Sequence, residues 1–191
     1  MTGASGLVGG SLCAALAEAG YEVVRLVRRS VKGPGEVQWD PSGGAIDAAA
    51  LEGIAGVVHL AGESIAEGRW TTDRKRRIRD SRVQGTTLLA EALSGLATKP
   101  PVWVSASAIG YYGSRGDEAL DEQAAAGSGF LASVCRDWEA ATAPAEQVGI
   151  RVVRARIGIV LSAEGGALAK MKLPFLLGAG GRIGDGRQYM S

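Results

Sequence analysis

Short apolar runs alternate along the chain with longer stretches in which apolar residues recur every three or four positions. Those are the periods of buried strands and of helices with one apolar face. Residues 6–19 predict a helix, with Leu7, Cys13, Ala14 and Leu16 among its apolar positions and Gly20 as its stop. Residues 21–27, rich in valine, predict a strand. Lys32-Gly33-Pro34-Gly35 interrupts the chain, a short strand follows over 37–39, and Asp40-Pro41 begins a loop. Residues 57–61 predict a buried strand running into Gly62. Residues 71–97 predict a long helix, basic at first and then aliphatic through Leu88, Leu89, Leu93 and Leu96. Residues 102–105 predict a strand introduced by Pro100-Pro101, with a loop over 107–113. Residues 128–148 predict a helix that Pro144 kinks or ends, because proline lacks the backbone donor and clashes with the preceding turn. A last strand, alternating apolar and basic residues, is expected over 151–156.

Apolar strands separated by helices imply parallel pairing through crossovers, hence an α/β fold: a doubly wound Rossmann-type parallel sheet with helices on both faces. Ligands of such sheets sit beyond the carboxyl ends of the strands, where the strand order reverses. The loops after Thr2, Val27, Leu60, Ser105 and Arg156 are expected to converge there. A first strand normally needs about five residues, and only Met1 and Thr2 precede the first glycine turn. The first strand is therefore expected to be truncated. Residues 1–161 are expected to form the nucleotide-binding domain, and 162–191 the start of a substrate-binding region whose remainder is missing.

The glycine turn carries the first chemical signal. Gly3, Gly6 and Gly9 recur every third residue between the strand remnant and the first helix. In that context Gly3 permits the tight turn, Gly6 lets backbone approach a diphosphate, and Gly9 lets the helix pack on the sheet. The free amides and positive end of the helix then face the phosphates. Ser5, Leu7 and Val8 complete the expected cofactor-binding turn. At the end of the second strand, where an NAD site generally carries a carboxylate, the chain reads Leu26-Val27-Arg28-Arg29-Ser30. Val27 and Arg28 are the candidates there, because a guanidinium meets a 2′-phosphate with forked, charge-assisted hydrogen bonds. NADP is the expected cofactor. The competing reading is that Arg28 and Arg29 are solvated loop charges.

Composition narrows the class. The chain has 191 residues, 46% of them hydrophobic and 21% charged, the profile of a soluble globular protein. No apolar run approaches the roughly 20 residues that span a bilayer, and the N-terminus lacks a signal-peptide layout, so no membrane partner is expected. The net charge of +1 gives no global attraction for nucleic acid. The basic run Arg74-Lys75-Arg76-Arg77, with Arg79, lacks aromatic interleaving and is diluted by Asp73 and Asp80, so most of it reads as a solvated face. Cys13 and Cys135 stand in no metal-like spacing, which fits a reducing, cytoplasmic setting. With His59 the single histidine, no metal site is expected. His59 itself, on an apolar strand, reads as a core residue.

A resemblance sharpens the picture. Residues 2–9, 58–63 (VHLAGE), Arg69-Trp70-Thr71, Ser81-Arg82-Val83, 107–113 (SAIGYYG), 135–139 (CRDWE) and 165–175 (GGALAKMKLPF) resemble the atypical short-chain dehydrogenase/reductases named epimerase family proteins, nearly end to end. The resemblance implies an extended Rossmann fold with bound NADP and a smaller C-terminal substrate region. It places Leu60, Ala61 and Gly62 beneath the cofactor's adenine and ribose, and Val160, with its neighbours, along the nicotinamide pocket. The Tyr-x-x-x-Lys pair typical of short-chain dehydrogenases falls on Leu131 and Cys135, which can supply neither its proton nor its positive charge. Ser107 matches the family's upstream serine, and Tyr111 and Tyr112 share its segment. These three are the candidate catalytic groups, with ring packing under the loop as the other reading of the tyrosines. Arg82 stands where relatives usually carry asparagine and is expected to contact phosphate or ribose. The substrate is expected to be a small polar or sugar-derived molecule. The expected activity is that of an oxidoreductase or epimerase-like enzyme, the alternative being an NADP-binding sensor or interaction module without catalysis.

Overall fold

The computed structural model describes residues 1–182 and 184–187. Among the described residues there are six strands: β1 (Arg25–Val27), β2 (Glu36–Asp40), β3 (Ala45–Ile46), β4 (Val57–His59), β5 (Val102–Ala108) and β6 (Arg151–Ile157). Five α-helices accompany them: α1 (Leu7–Glu18), α2 (Thr72–Ser94), α3 (Phe130–Ala140), α4 (Ala143–Gln147) and α5 (Gly166–Leu176). Strands β4, β5 and β6 pair in parallel, as do β1 and β2. Met1 and Thr2 join the two groups: Leu26 N donates to the Met1 carbonyl (2.8 Å) and Thr2 N to the Val58 carbonyl (3.0 Å). The spatial order is therefore β3, β2, β1, the Met1-Thr2 segment, β4, β5, β6. Chain order reverses beside Thr2, and the glycine turn begins at the next residue.

Several elements depart from the pattern read in the sequence. Residues 21–24 lie outside β1, because the register with β2 pairs only Arg25 to Val27 with Glu36 to Gln38. The loop expected after Asp40 is instead a small hairpin, with β3 antiparallel to β2, so the sheet edge is mixed. Strand β4 ends at His59, where the Thr2 hydroxyl accepts the next two amides, of Leu60 (3.1 Å) and Ala61 (3.2 Å), and removes them from the ladder. Strand β5 runs three residues further than expected, so Ser107 is a strand residue in register with Arg156, not a loop residue. The expected 128–148 helix is two helices broken at Ala141 and Thr142, with Pro144 in the first turn of α4, where its missing N–H costs nothing.

Helix α2 is fixed at its start by Thr71, whose hydroxyl accepts from Arg74 N (3.2 Å), with Asp73 in the first turn. It buries Ile78, Leu89 and Leu93, each contributing roughly 2 kcal/mol. Leu89 and Leu93 belong to a core with Leu26, Trp39, Leu51, Val57, Trp103 and Ile150. His59 lies fully buried on the sheet, edge-on to Trp39 and Trp103. Because the Thr2 hydroxyl accepts two backbone amides, its proton is directed to His59 Nδ1 (2.7 Å), and Nε2 donates to the Thr86 hydroxyl (3.1 Å). Burial holds the imidazole neutral, down to about 4 from its ordinary 6.5. No described helix is long and apolar enough to cross a membrane.

Candidate functional site

The glycine turn is built so that two of its glycines admit no side chain. A Cβ on Gly9 would stand 2.1 Å from the Gly3 carbonyl oxygen, and one on Gly3 would stand 2.7 Å from the Leu60 carbonyl carbon. Gly3 also holds φ +67°, in the left-handed region. Helix α1 thus opens flush against the turn, and the turn against the Leu60-Ala61 backbone. Gly6 differs: a Cβ there would meet only the Gly3 oxygen, at 3.3 Å. No side chain caps α1, which leaves the amides of Leu7, Val8 and Gly9 to an external acceptor.

That turn forms one wall of a cleft of about 710 Å³. Gly3, Ser5 and Gly6 line it on one side, Leu60, Ala61 and Gly62 on another, and Val27, Arg28 and Arg29 on a third. The two arginines have separate fates. Arg29 clasps Glu36 with both terminal nitrogens, Nη1 to Oε2 at 2.9 Å and Nη2 to Oε1 at 2.6 Å. Hydrogen bonds from Arg29 and from Lys32 N hold the Glu36 carboxyl down to about 2. Arg28 is exposed, and no hydrogen bond or ion pair engages it among the described residues.

Arg82 is drawn inward from α2. Its Nη1 donates to the Glu63 carbonyl (3.1 Å) and the Ile78 carbonyl (3.0 Å), and its guanidinium lies 5.2 Å from the centre of a Trp138 ring. Its guanidinium carbon lies 3.3 Å from the Cβ position of Gly62, so it backs the loop beneath the cleft. Burial lowers its pKa from the ordinary guanidinium value, and among the described residues it has no carboxylate partner.

The three catalytic candidates come together, along with two residues that sequence reasoning missed. The Ser107 hydroxyl, 3% exposed, donates to Glu139 Oε1 (2.6 Å). Arg156 grips the same carboxylate in a fork, Nε to Oε1 and Nη2 to Oε2, both 2.9 Å. Its Nη1 donates to the Tyr112 hydroxyl (2.9 Å), and its face covers Tyr111. Burial works against the Glu139 charge, but hydrogen bonds from Arg156 and Ser107 outweigh it and hold the carboxyl below its usual value. The Glu139 bond in turn raises Arg156. Tyr111 and Tyr112 lie half-buried on a short 3-10 turn, Ile109–Tyr112, with their rings edge to face. Arg156 is one of three arginines alternating with apolar residues along β6, and that alternation alone did not set it apart.

Leu131 and Cys135 pack under that turn: a Cβ on Gly110 would lie 3.4 Å from Leu131 Cβ and 3.8 Å from Cys135 Sγ. Burial pushes the Cys135 thiol up. Val160, exposed, faces Leu7 and Val8 across a second cavity of about 520 Å³ at the start of α1. The glycine-rich segment 178–186 lies partly outside the described residues, and Met190 and Ser191 lie wholly outside them. On α2, Arg74 and Arg77 pair with Glu63, Arg76 with Asp73, and Arg79 with Asp137 and Asp80, so most of the basic run is neutralised locally.

The sequence profile of the NAD dependent epimerase/dehydratase family matches residues 1–177. The chain belongs to that family. Among family relatives, epimerase family protein Mb2239 of Mycobacterium bovis is 47% identical over 193 residues, covering 100% of this chain and 63% of the relative. The chain therefore spans less than two thirds of that relative's length. A crystal structure of a nucleoside-diphosphate sugar epimerase from Corynebacterium glutamicum superposes with a TM-score of 0.85 at 44% identity, covering 100% of this chain and 39% of that one. The human epimerase family protein SDR39U1, crystallised with NADPH, also gives 0.85, at 34% identity over 99% of this chain and 63% of that one. The doubly wound fold read from the strand-helix alternation is thus the fold of the family.

Proposed function

We propose that the chain is the NADP(H)-binding part of an oxidoreductase or epimerase-like enzyme acting on a small polar or sugar-derived molecule. The observation that carries this reading is the convergence of the uncapped α1 start and the unpaired Arg28 on one cleft. A diphosphate fits the amides of Leu7, Val8 and Gly9 in the cradle that Gly3 and Gly9 keep clear. Arg28 supplies the charge for a 2′-phosphate, in keeping with the human relative crystallised with NADPH. Residues 1–161 would bind the dinucleotide, and the substrate side would begin at 162. The two unpaired cysteines suit a cytoplasmic setting.

The bound cofactor would supply hydride transfer to or from a carbonyl or alcohol carbon. Of the hydroxyls present, Tyr112 suits proton handling best: it accepts from Arg156, which leaves its own proton free to donate outward. Ser107 spends its proton on Glu139, so it serves better as a positioning group. A catalytically silent NADP-binding module is the second reading, favoured by Leu131 and Cys135 packed beneath the tyrosine turn.

Fluorescence titration with NADPH and NADH tests the cofactor assignment. NADPH is expected to bind at least about tenfold more tightly, and Arg28→Ala is expected to erase the difference. Equal affinities in the wild type would sink it. A carbonyl screen with wild type, Ser107→Ala and Tyr112→Phe tests the chemistry. Tyr112→Phe should lose about a hundredfold in kcat and Ser107→Ala far less; absence of NADPH oxidation with every substrate would favour the silent module.

A further inference from the structure

The cofactor cleft contains a carboxylate where a 2′-phosphate site should have none. Glu36, at the start of β2, lines the same cleft as Arg28. A free acid there would accept the 2′-hydroxyl of NAD and repel the phosphate of NADP. It is not free. Arg29 forks onto it with both terminal nitrogens, Lys32 N donates to Oε2 (2.9 Å), and Arg25 stands 3.7 Å away. The Glu36 side chain is only 5% exposed, whereas Arg29 is 47% exposed and forms its cover. The carboxyl is held ionised far below neutral pH, so its charge is cancelled by partners and not by a proton.

We propose that Arg29 sets cofactor preference without gripping the phosphate, by masking Glu36, so that beside Arg28 the cleft presents an unpaired positive charge and not the free Glu36 carboxylate. This rests on the NADP(H) reading above. Three of the Arg29 donor contacts are spent, two on Glu36 and one on the Ser30 carbonyl (2.9 Å). Arg28 has none spent among the described residues. Within one doublet of arginines the structure thus separates a brace from a ligand-facing cation. Removing Arg29 would expose a negative charge in the cleft, and removing the Glu36 charge as well would take the penalty away again.

The experiment is a rescue measured by fluorescence titration at fixed ionic strength, using wild type, Arg29→Ala and Arg29→Ala/Glu36→Gln with NADPH and NADH. Arg29→Ala should bind NADPH about tenfold more weakly while binding NADH as tightly as wild type or more so. The double variant should return to within about threefold of wild-type NADPH affinity, because an amide in place of the Glu36 carboxylate still accepts from the Lys32 backbone but carries no charge. Arg29→Gln, which keeps a donor for the Ser30 carbonyl, is the second variant should Arg29→Ala fold poorly. A double variant as weak as Arg29→Ala would mean that Arg29 holds the phosphate itself and would overturn the inference. Equal weakening of both dinucleotides, with the melting temperature held, would overturn it too. A wild type that binds neither dinucleotide would remove the underlying reading instead.

Discussion

The guanidinium carbon of Arg156 sits 3.5 Å from the centre of the Tyr111 ring. The same side chain closes a forked ion pair with Glu139, whose side chain is 10% exposed. The contact therefore combines a cation–π stack on a half-buried ring with a largely buried bidentate pair. Arg156→Met would leave the Glu139 charge without its main partner in a dry setting, and is expected to cost about 3 kcal/mol. Urea denaturation measures it. Adding Glu139→Gln should recover part of that loss, since the stranded charge is then gone. A double variant no more stable than Arg156→Met would mean that the stack, not the ion pair, holds the turn.

A pH dependence follows from the single histidine. His59 is held down to about 4 in the fold by burial, against an ordinary 6.5. Between those values the unfolded chain takes up a proton that the folded chain refuses. The His59 contribution to stability is therefore complete above about pH 6.5 and declines as pH falls toward 4, by roughly 3 kcal/mol in all. The carboxylates held below their usual values, Glu36, Asp40, Glu52 and Glu139, lose their contribution only at lower pH. Denaturation free energies at about pH 7.5, 6 and 5 check this. A flat profile across that window would show that His59 is solvated and that the Thr2 link between the turn and the Leu60 loop is absent.

The two kinds of glycine in the turn should separate folding from binding. Gly9→Ala drives a Cβ to 2.1 Å from the Gly3 oxygen, which displaces the whole start of α1. A loss of more than about 2 kcal/mol is expected, with dinucleotide binding lost. Gly6→Ala meets only a 3.3 Å contact and should melt within a few degrees of wild type. On the proposed dinucleotide reading its methyl would stand where backbone approaches the diphosphate, so affinity should fall about tenfold or more. Unchanged NADPH affinity in Gly6→Ala would move the diphosphate away from this residue.

What the sequence made legible was what local spacing controls. The glycine turn, the alternation of strands and helices and the Pro144 break all follow from backbone chemistry within a few residues. The end of β4 did not, because it depends on the Thr2 hydroxyl reaching residues 58 and 59 positions away in the chain. The extension of β5 through Ser107 depends likewise on its register with Arg156. Of the candidate site, Arg28 was visible as an arginine in an acid's place, but the masking of Glu36 by Arg29 was not, since it arises only when β2 lies beside β1. Glu139 was hidden for the same reason: its partners come from β5 and β6.

Cys135 tests whether the helix position usually given to lysine has acquired nucleophilic chemistry. The thiolate is the reactive form. Burial pushes this thiol up, outweighing the Ala108 backbone hydrogen bond and the nearby Arg82 charge, and the residue is 4% exposed. Cys13, by contrast, is only partly covered. Iodoacetamide at about pH 7.5 should therefore label Cys13 first, with Cys135 slower by about two orders of magnitude until urea unfolds the chain. Peptide mapping distinguishes the two sites. Rapid labelling of Cys135 in the folded protein, blocked by NADPH, would place a reactive thiol at the cofactor and shift proton handling away from Tyr112. Slow labelling, with or without NADPH, leaves Cys135 as packing beneath Gly110, and leaves the Arg156-bound phenol of Tyr112 as the group to which a substrate oxygen would turn.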